Sequence, residues 1–123
     1  MASRILLIDD QAEFAELFAA RQLRRHPELC FEICTSPRTA LTRLGEGFDL
    51  IVLDLHMPEM DGRDFIRAAV AAGVNPKQMI VHSAYTADEL HDTFALGECL
   101  AVINKLELKQ QAVLDLIFDS LAQ

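Results

Sequence analysis

Some of the apolar runs in this chain do not alternate with polar residues, and that limits its folds more than anything else in it. Leu50-Ile51-Val52-Leu53 is unbroken, Arg4 to Ile8 ends in four aliphatic residues, and mixed apolar runs occupy Cys30 to Cys34, Met79 to Val81 and, briefly, Ala101 to Ile103. A strand with one wet face alternates. A strand apolar at every position is buried on both faces, which happens when helices cover a parallel sheet. Between the runs, apolar residues fall at helical spacing: Phe14, Leu17, Phe18; Ala40, Leu41, Leu44; Phe65, Ile66, Ala69, Val70; Leu90, Phe94; and Val113, Leu114, Ile117, Leu121. Leu23 falls out of phase with the first of these sets. Boundary residues agree with the pattern: Ser36-Pro37 reads as an N-cap and first helical position, Gly45 and Gly73 as helix ends, and Asn75-Pro76 as the turn into the fourth strand. Five strand-then-helix repeats with short loops predict an α/β doubly wound parallel sheet with right-handed crossovers.

The 123 residues are expected to form a single domain over residues 1–123, with no output domain following it. Eleven Lys and Arg against nineteen Asp and Glu leave a net charge of −8, with no basic run to offset it. That sign argues against direct binding of nucleic acid. The apolar runs are far shorter than the ~20 residues of a membrane span, and Asp9-Asp10 interrupt the first before it could serve as a signal peptide, so the expectation is a cytoplasmic chain with no membrane association. Cys30 and Cys34, on one strand, would lie about 13 Å apart at ~3.3 Å per residue, beyond disulfide reach. With Cys99 they make an odd number, read as reduced thiols, and His26, His56, His82 and His91 are too scattered for a zinc site.

Doubly wound sheets bind ligands at the carboxyl ends of their strands. Those ends carry Asp9-Asp10, Asp54, Ser83 and Lys105. Asp9-Asp10 alone would read as a solvated turn, but here the topology gathers three carboxylates, a hydroxyl and an ammonium at one edge. Carboxylates so placed repel one another unless their pKa values rise or a divalent cation joins them, and hard oxygen donors suit Mg²⁺. Asp54, on the rigid end of a buried strand, can act as a nucleophile on phosphorus. Phosphoryl transfer then needs cations and hydrogen-bond donors around the transferred oxygens, roles that Mg²⁺, Lys105 and Ser83 would fill.

Through Ile5-Leu6-Leu7-Ile8-Asp9-Asp10, the stretch Phe48 to Gly62 around Asp54, Ser83-Ala84-Tyr85 and Asn104-Lys105, the chain resembles, end to end, the chemotaxis-regulator-like receiver domain of two-component response regulators. The resemblance implies a flavodoxin-like (βα)5 fold with sheet order 2-1-3-4-5 and helices on both faces. It also implies a phosphoacceptor switch. Asp54 would take a phosphoryl group from a phosphohistidine of a sensor histidine kinase or histidine phosphotransfer protein, with Mg²⁺ held by Asp9, Asp10, Asp54 and the backbone carbonyl of His56. Ser83 and Lys105 would bind the phosphoryl oxygens, His56 and Tyr85 would tune phosphoryl lifetime, and the modified domain would act on a downstream target protein or output domain. Such a receiver assists only its own phosphorylation and dephosphorylation and is no enzyme toward external metabolites.

The chain departs from the family on the output side. Val102 stands at the switch position, where relatives usually carry Tyr or Phe, Leu106 follows Lys105 where relatives usually carry proline, and the segment from Gly97 to Lys105 is one residue longer than common. A trans Lys105–Leu106 bond and a muted conformational switch are expected. His82 reads as a strand histidine with a satisfied hydrogen bond, Met57 and Met60 as packing residues, and Asp88, Glu89 and Asp92 as a solvated helix face. Two other readings stand beside the receiver: a pseudo-receiver that binds a partner without phosphorylation, and a small Mg²⁺-dependent aspartyl-nucleophile phosphatase, which would want a second Asp where His56 stands.

Overall fold

The structure is a computed structural model that describes residues 3–55, 57–83, 100–105 and 108–122. Its elements are β1 (Arg4–Ile8), α1 (Ala12–Arg25), β2 (Cys30–Cys34), α2 (Pro37–Arg43), β3 (Leu50–Leu53), α3 (Gly62–Ala71), β4 (Met79–Ser83), β5 (Ala101–Asn104) and α4 (Leu108–Leu121). The expected helix through Leu90 and Phe94, with Asp88, Glu89, Asp92 and Cys99, lies outside the described residues.

All strand pairings are parallel and the sheet order is β2-β1-β3-β4-β5, as expected of a doubly wound sheet. Strand residues alternate between two cores. Leu6, Ile8, Ile51, Leu53, Met79 and Val81 pack with Ala40, Phe65, Ile66 and Ala69 of α2 and α3. Ile5, Leu7, Leu50, Val52, Ile80 and Ile103 pack with Ala15, Phe18 and Ala19 of α1 and with Leu114 and Phe118 of α4. Along β1, β3 and the apolar run of β4 both faces are therefore dry, which is why those runs carry no polar alternation, while the edge strand β2 is only partly buried; each buried aliphatic side chain contributes ~1.5–3 kcal/mol. Met57 is buried and Met60 partly so, both in the first core. Cys30 and Cys34 are free thiols.

Several helix details correct the periodicity. In α1 the buried stripe is Ala15, Phe18, Ala19 and Gln22, while Leu17, expected to face the core, is 73% exposed. At about 100° per residue, Phe14 and Leu23 flank that stripe on opposite edges, so Leu23 is in phase once Gln22 is placed at its centre. Gln22 is admitted because its amide donates to Asp115 Oδ1 at 3.0 Å. Val70 and Val113, also expected inside, are 42% and 46% exposed. Ser36 caps α2, accepting from Thr39 N at 3.3 Å, with Pro37 in the first turn. A 3₁₀ turn (Leu44–Glu46) prolongs that helix, so Gly47 (φ 81°) rather than Gly45 takes the left-handed conformation. Gly73 closes α3 at φ 101°, and Asn75-Pro76 opens a 3₁₀ turn (Pro76–Gln78). Strand β4 runs two residues further than its apolar run, so Ser83 ends the strand rather than following it.

Candidate functional site

The strand register builds the site. Ile8 of β1 pairs with Cys34 on one side and with Leu53 on the other, so the next residues, Asp9 and Asp54, emerge side by side. The ladder continues into them: Asp54 N–H donates to Ile8 O at 2.9 Å and Asp9 N–H to Cys34 O at 3.1 Å. On the other flank Ser83 pairs with Asn104, and Lys105 N–H donates to Ser83 O at 2.7 Å. Lys105 is thus delivered to the same edge by the ends of β4 and β5.

Asp9, Asp10 and Asp54 each offer a carboxylate oxygen within 4.8 Å of the others. Asp9 is buried, Asp54 intermediate and Asp10 exposed. Asp9 Oδ1 accepts from Gln11 N at 2.9 Å, which steadies the turn into α1. Lys105 Nζ lies 2.7 Å from Asp9 Oδ2 and 3.4 Å from Asp54 Oδ2, with its side chain only 6% exposed, and 4.4 Å from the centroid of the Phe14 ring. Among the described residues, three acids cluster where one ammonium pairs with two of them, so this group is short of positive charge. Its all-oxygen donors suit a hard divalent cation such as Mg²⁺.

The loop after Asp54 is pinned by α3. Asp61 caps that helix, accepting from Arg63 N at 2.7 Å, and Gly62 N–H donates to Leu55 O at 2.7 Å. A Cβ on Gly62 would stand 2.9 Å from Leu55 Cα and 3.0 Å from Asp54 O. Only glycine allows this approach, which holds the backbone at Asp54 rigid.

Of the predicted site residues, Asp9, Asp10, Asp54 and Lys105 converge, and Ser83 sits buried at the end of β4 beside them. Val102 of β5 pairs with Val81 of β4. His56, Tyr85 and Leu106 lie outside the described residues. His82 is 2% exposed with Nε2 3.0 Å from Gln111 Nε2, the satisfied strand histidine expected of it. Burial, reinforced by the positive charge of Lys105, pushes its pKa down to about 3, so the ring is neutral. Sequence reasoning missed Phe14 as a neighbour of Lys105 and Gln111 as the partner of His82. Phe14 follows the acidic pair by about one helical turn, the one local hint available.

A family model for the response regulator receiver domain matches residues 5–116. The chain is 32% identical over 119 residues to the protein-glutamate methylesterase/protein-glutamine glutaminase 1 of Chromobacterium violaceum, an alignment covering 93% of this chain and 32% of that protein. It therefore spans about a third of the length of that curated relative. Its fold is that of the Francisella response regulator 1452 receiver domain (TM-score 0.78, 17% identity, 98% of this chain and 99% of that one). It is also that of the response regulator TrrA of Thermotoga maritima in complex with Mg²⁺-BeF (TM-score 0.77, 19% identity, 97% and 98%). With the family model spanning most of the chain and the acidic cluster at the carboxyl edge of its sheet, the chain belongs to the response regulator receiver domain family.

Proposed function

We propose that residues 1–123 act as one phosphoacceptor unit in which Asp54 is the acceptor. A carboxylate oxygen of Asp54 attacks the phosphorus of a phosphohistidine on a sensor histidine kinase or histidine phosphotransfer protein. The new O–P bond forms as the N–P bond breaks, and the imidazole nitrogen leaves with the electron pair and takes a proton. Asp9 and Asp10, with Asp54 itself and the His56 carbonyl, would hold Mg²⁺, which when bound neutralises charge on the phosphoryl oxygens. Lys105 binds one phosphoryl oxygen and Ser83 donates a hydrogen bond to another. His56 and Tyr85 bear on phosphoryl lifetime.

The observation carrying this reading is that Asp9 and Asp54 follow the ends of adjacent strands, with Lys105 Nζ 2.7 and 3.4 Å from them. The Mg²⁺-BeF complex of TrrA, a relative by fold, supports it. The pseudo-receiver reading leaves the convergent acids and lysine without work, and the phosphatase reading lacks its second acid. In this reading the domain catalyses nothing on an external metabolite and works in the cytoplasm; among the described residues no helix is long and apolar enough to cross a membrane. The phosphoryl group biases a two-state surface read by a downstream target protein or output domain. With Val102 at the switch position, that bias is a muted one, routed through Ser83 and loop ordering.

Intact mass after incubation with acetyl phosphate and Mg²⁺ tests the assignment. One phosphoryl is gained by the wild type and none by Asp54→Ala, which keeps its circular dichroism. An adduct persisting in Asp54→Ala would overturn it.

A further inference from the structure

Lysine is a poor choice for a fixed charge. Its stem loses ~1.5–2 kcal/mol of rotamer freedom when ordered, and the two carboxylates that hold Lys105 here are the same groups proposed to ligate a divalent cation. When those oxygens turn to a cation, the ion pairs at 2.7 and 3.4 Å weaken. Among the described residues, an attraction remains that the cation does not compete for. The Nζ stands 4.4 Å from the centroid of the Phe14 ring, inside the range of a cation–π contact.

Phe14 is itself held in place. Its ring meets the His82 ring at 5.7 Å, and His82 meets Phe18 at 5.0 Å. His82 is buried and bonded to Gln111 of α4. A charged imidazole beside Phe14 would draw on the same ring and repel Lys105. The neutral ring, its pKa lowered to about 3 by burial and by Lys105, does neither.

We propose that Phe14 is a positioning residue for Lys105: its ring face keeps the ammonium at the edge of the Asp9, Asp10 and Asp54 cluster when the carboxylates engage a cation. This inference rests on the phosphoacceptor reading of the site, in which Lys105 binds a phosphoryl oxygen. It adds a determinant on α1, set by the tertiary contact of α1 with the end of β5.

The test compares Phe14→Leu, which keeps apolar bulk and removes the ring, with Phe14→Tyr, which keeps the ring. Affinity for beryllofluoride is measured in saturating Mg²⁺, and affinity for Mg²⁺ is measured separately without it. Phe14→Leu should weaken beryllofluoride binding about five- to tenfold and leave Mg²⁺ affinity within about twofold. Phe14→Tyr should restore beryllofluoride binding to near wild type. In a Lys105→Met background, Phe14→Leu should have no further effect. If Phe14→Leu fails to fold, Phe14→Met replaces it in the same comparison. Wild-type beryllofluoride binding unchanged by Phe14→Leu would overturn this inference alone, as would parallel loss of Mg²⁺ affinity or failure of Phe14→Tyr to rescue. A wild type unable to bind beryllofluoride would overturn the phosphoacceptor reading and this inference with it.

Discussion

The two ends of the sheet both carry clustered ionised side chains, and they are built to opposite purposes. At the amino end, Arg4 of β1 reaches Glu32 of β2 at 2.5 Å and Glu46 at 3.1 Å, and Arg43 reaches Glu46 at 2.8 Å and also pairs with Glu32. Both guanidinium groups lie over the Phe48 ring, at 4.6 and 5.7 Å. Two cations meet two anions, and the arginines hold both glutamates below the usual carboxylate range, Arg43 the more strongly and Arg4 after it. At the carboxyl end, Lys105 pairs with Asp9 and Asp54, and Asp10 completes the acidic cluster. Both clusters set a cation on a phenylalanine, so that contact does not separate them. The pairing does: among the described residues, each arginine of the amino-end quartet pairs with both glutamates, whereas the carboxyl-end group sets three acids about one lysine, leaving charge that a bound cation can balance.

Acid should separate the ends most strongly. The folded-state pKa of His82, about 3, lies below its ordinary 6.5, so its contribution to stability is full above pH 6.5 and is lost as pH falls toward 3. Denaturant melts should show stability falling between pH 6.5 and 4.5 with a slope approaching about 1.4 kcal/mol per pH unit. His82→Gln should flatten that slope and Glu32→Gln should not. A wild-type profile level across this window would break the picture of a neutral, buried His82 beneath the site.

The next largest effect is the response to Mg²⁺. Binding to the folded state only, at ten times its dissociation constant, stabilises by about 1.4 kcal/mol. The melting temperature should rise accordingly in millimolar Mg²⁺, with the rise blunted in Asp10→Asn and intact in Glu32→Gln. Equal blunting by both would erase the distinction between the two ends.

The smallest effects differ in sign. Without metal, Asp10→Asn should raise stability by a few tenths of a kcal/mol, since it relieves repulsion at an exposed site. Glu32→Gln should lower it by up to about 1 kcal/mol, solvent screening limiting the loss. The Glu32 contribution is present above the ordinary value of 4.5 and is lost as pH falls through its lower folded-state value, so the penalty of Glu32→Gln should be smaller in acid than at neutral pH. Chemical denaturation at pH 7 and pH 3 reads both signs.

Strands were the most legible elements: β1 and β3, buried on both faces, leave no room for polar alternation and run between the residues their apolar runs predict, and the edge strand β2 also keeps its predicted bounds although only Cys34 in it is buried. The site's acids were legible for a related reason, since an aspartate directly after a buried run must emerge at the sheet edge. Helix phase was less legible, because Gln22 is polar in composition yet 1% exposed, bonded to Asp115 across the α1–α4 contact. Gly62 stands in the sequence as one turn residue among several. Its need to be glycine appears only when Leu55 Cα is found 2.9 Å from where a Cβ would be.

By itself, then, the sequence determined which segments are strands, that Asp9, Asp54 and Lys105 directly follow three of them, and the family they spell, because these depend on local apolar runs and on order along the chain. Tertiary structure decided what no local pattern encodes. It set the register that places Asp9 beside Asp54, the seat of Lys105 on Phe14, and the buried bond between His82 and Gln111. Each of these joins residues from different elements, and the distance between such residues is fixed only when the helices close over the sheet.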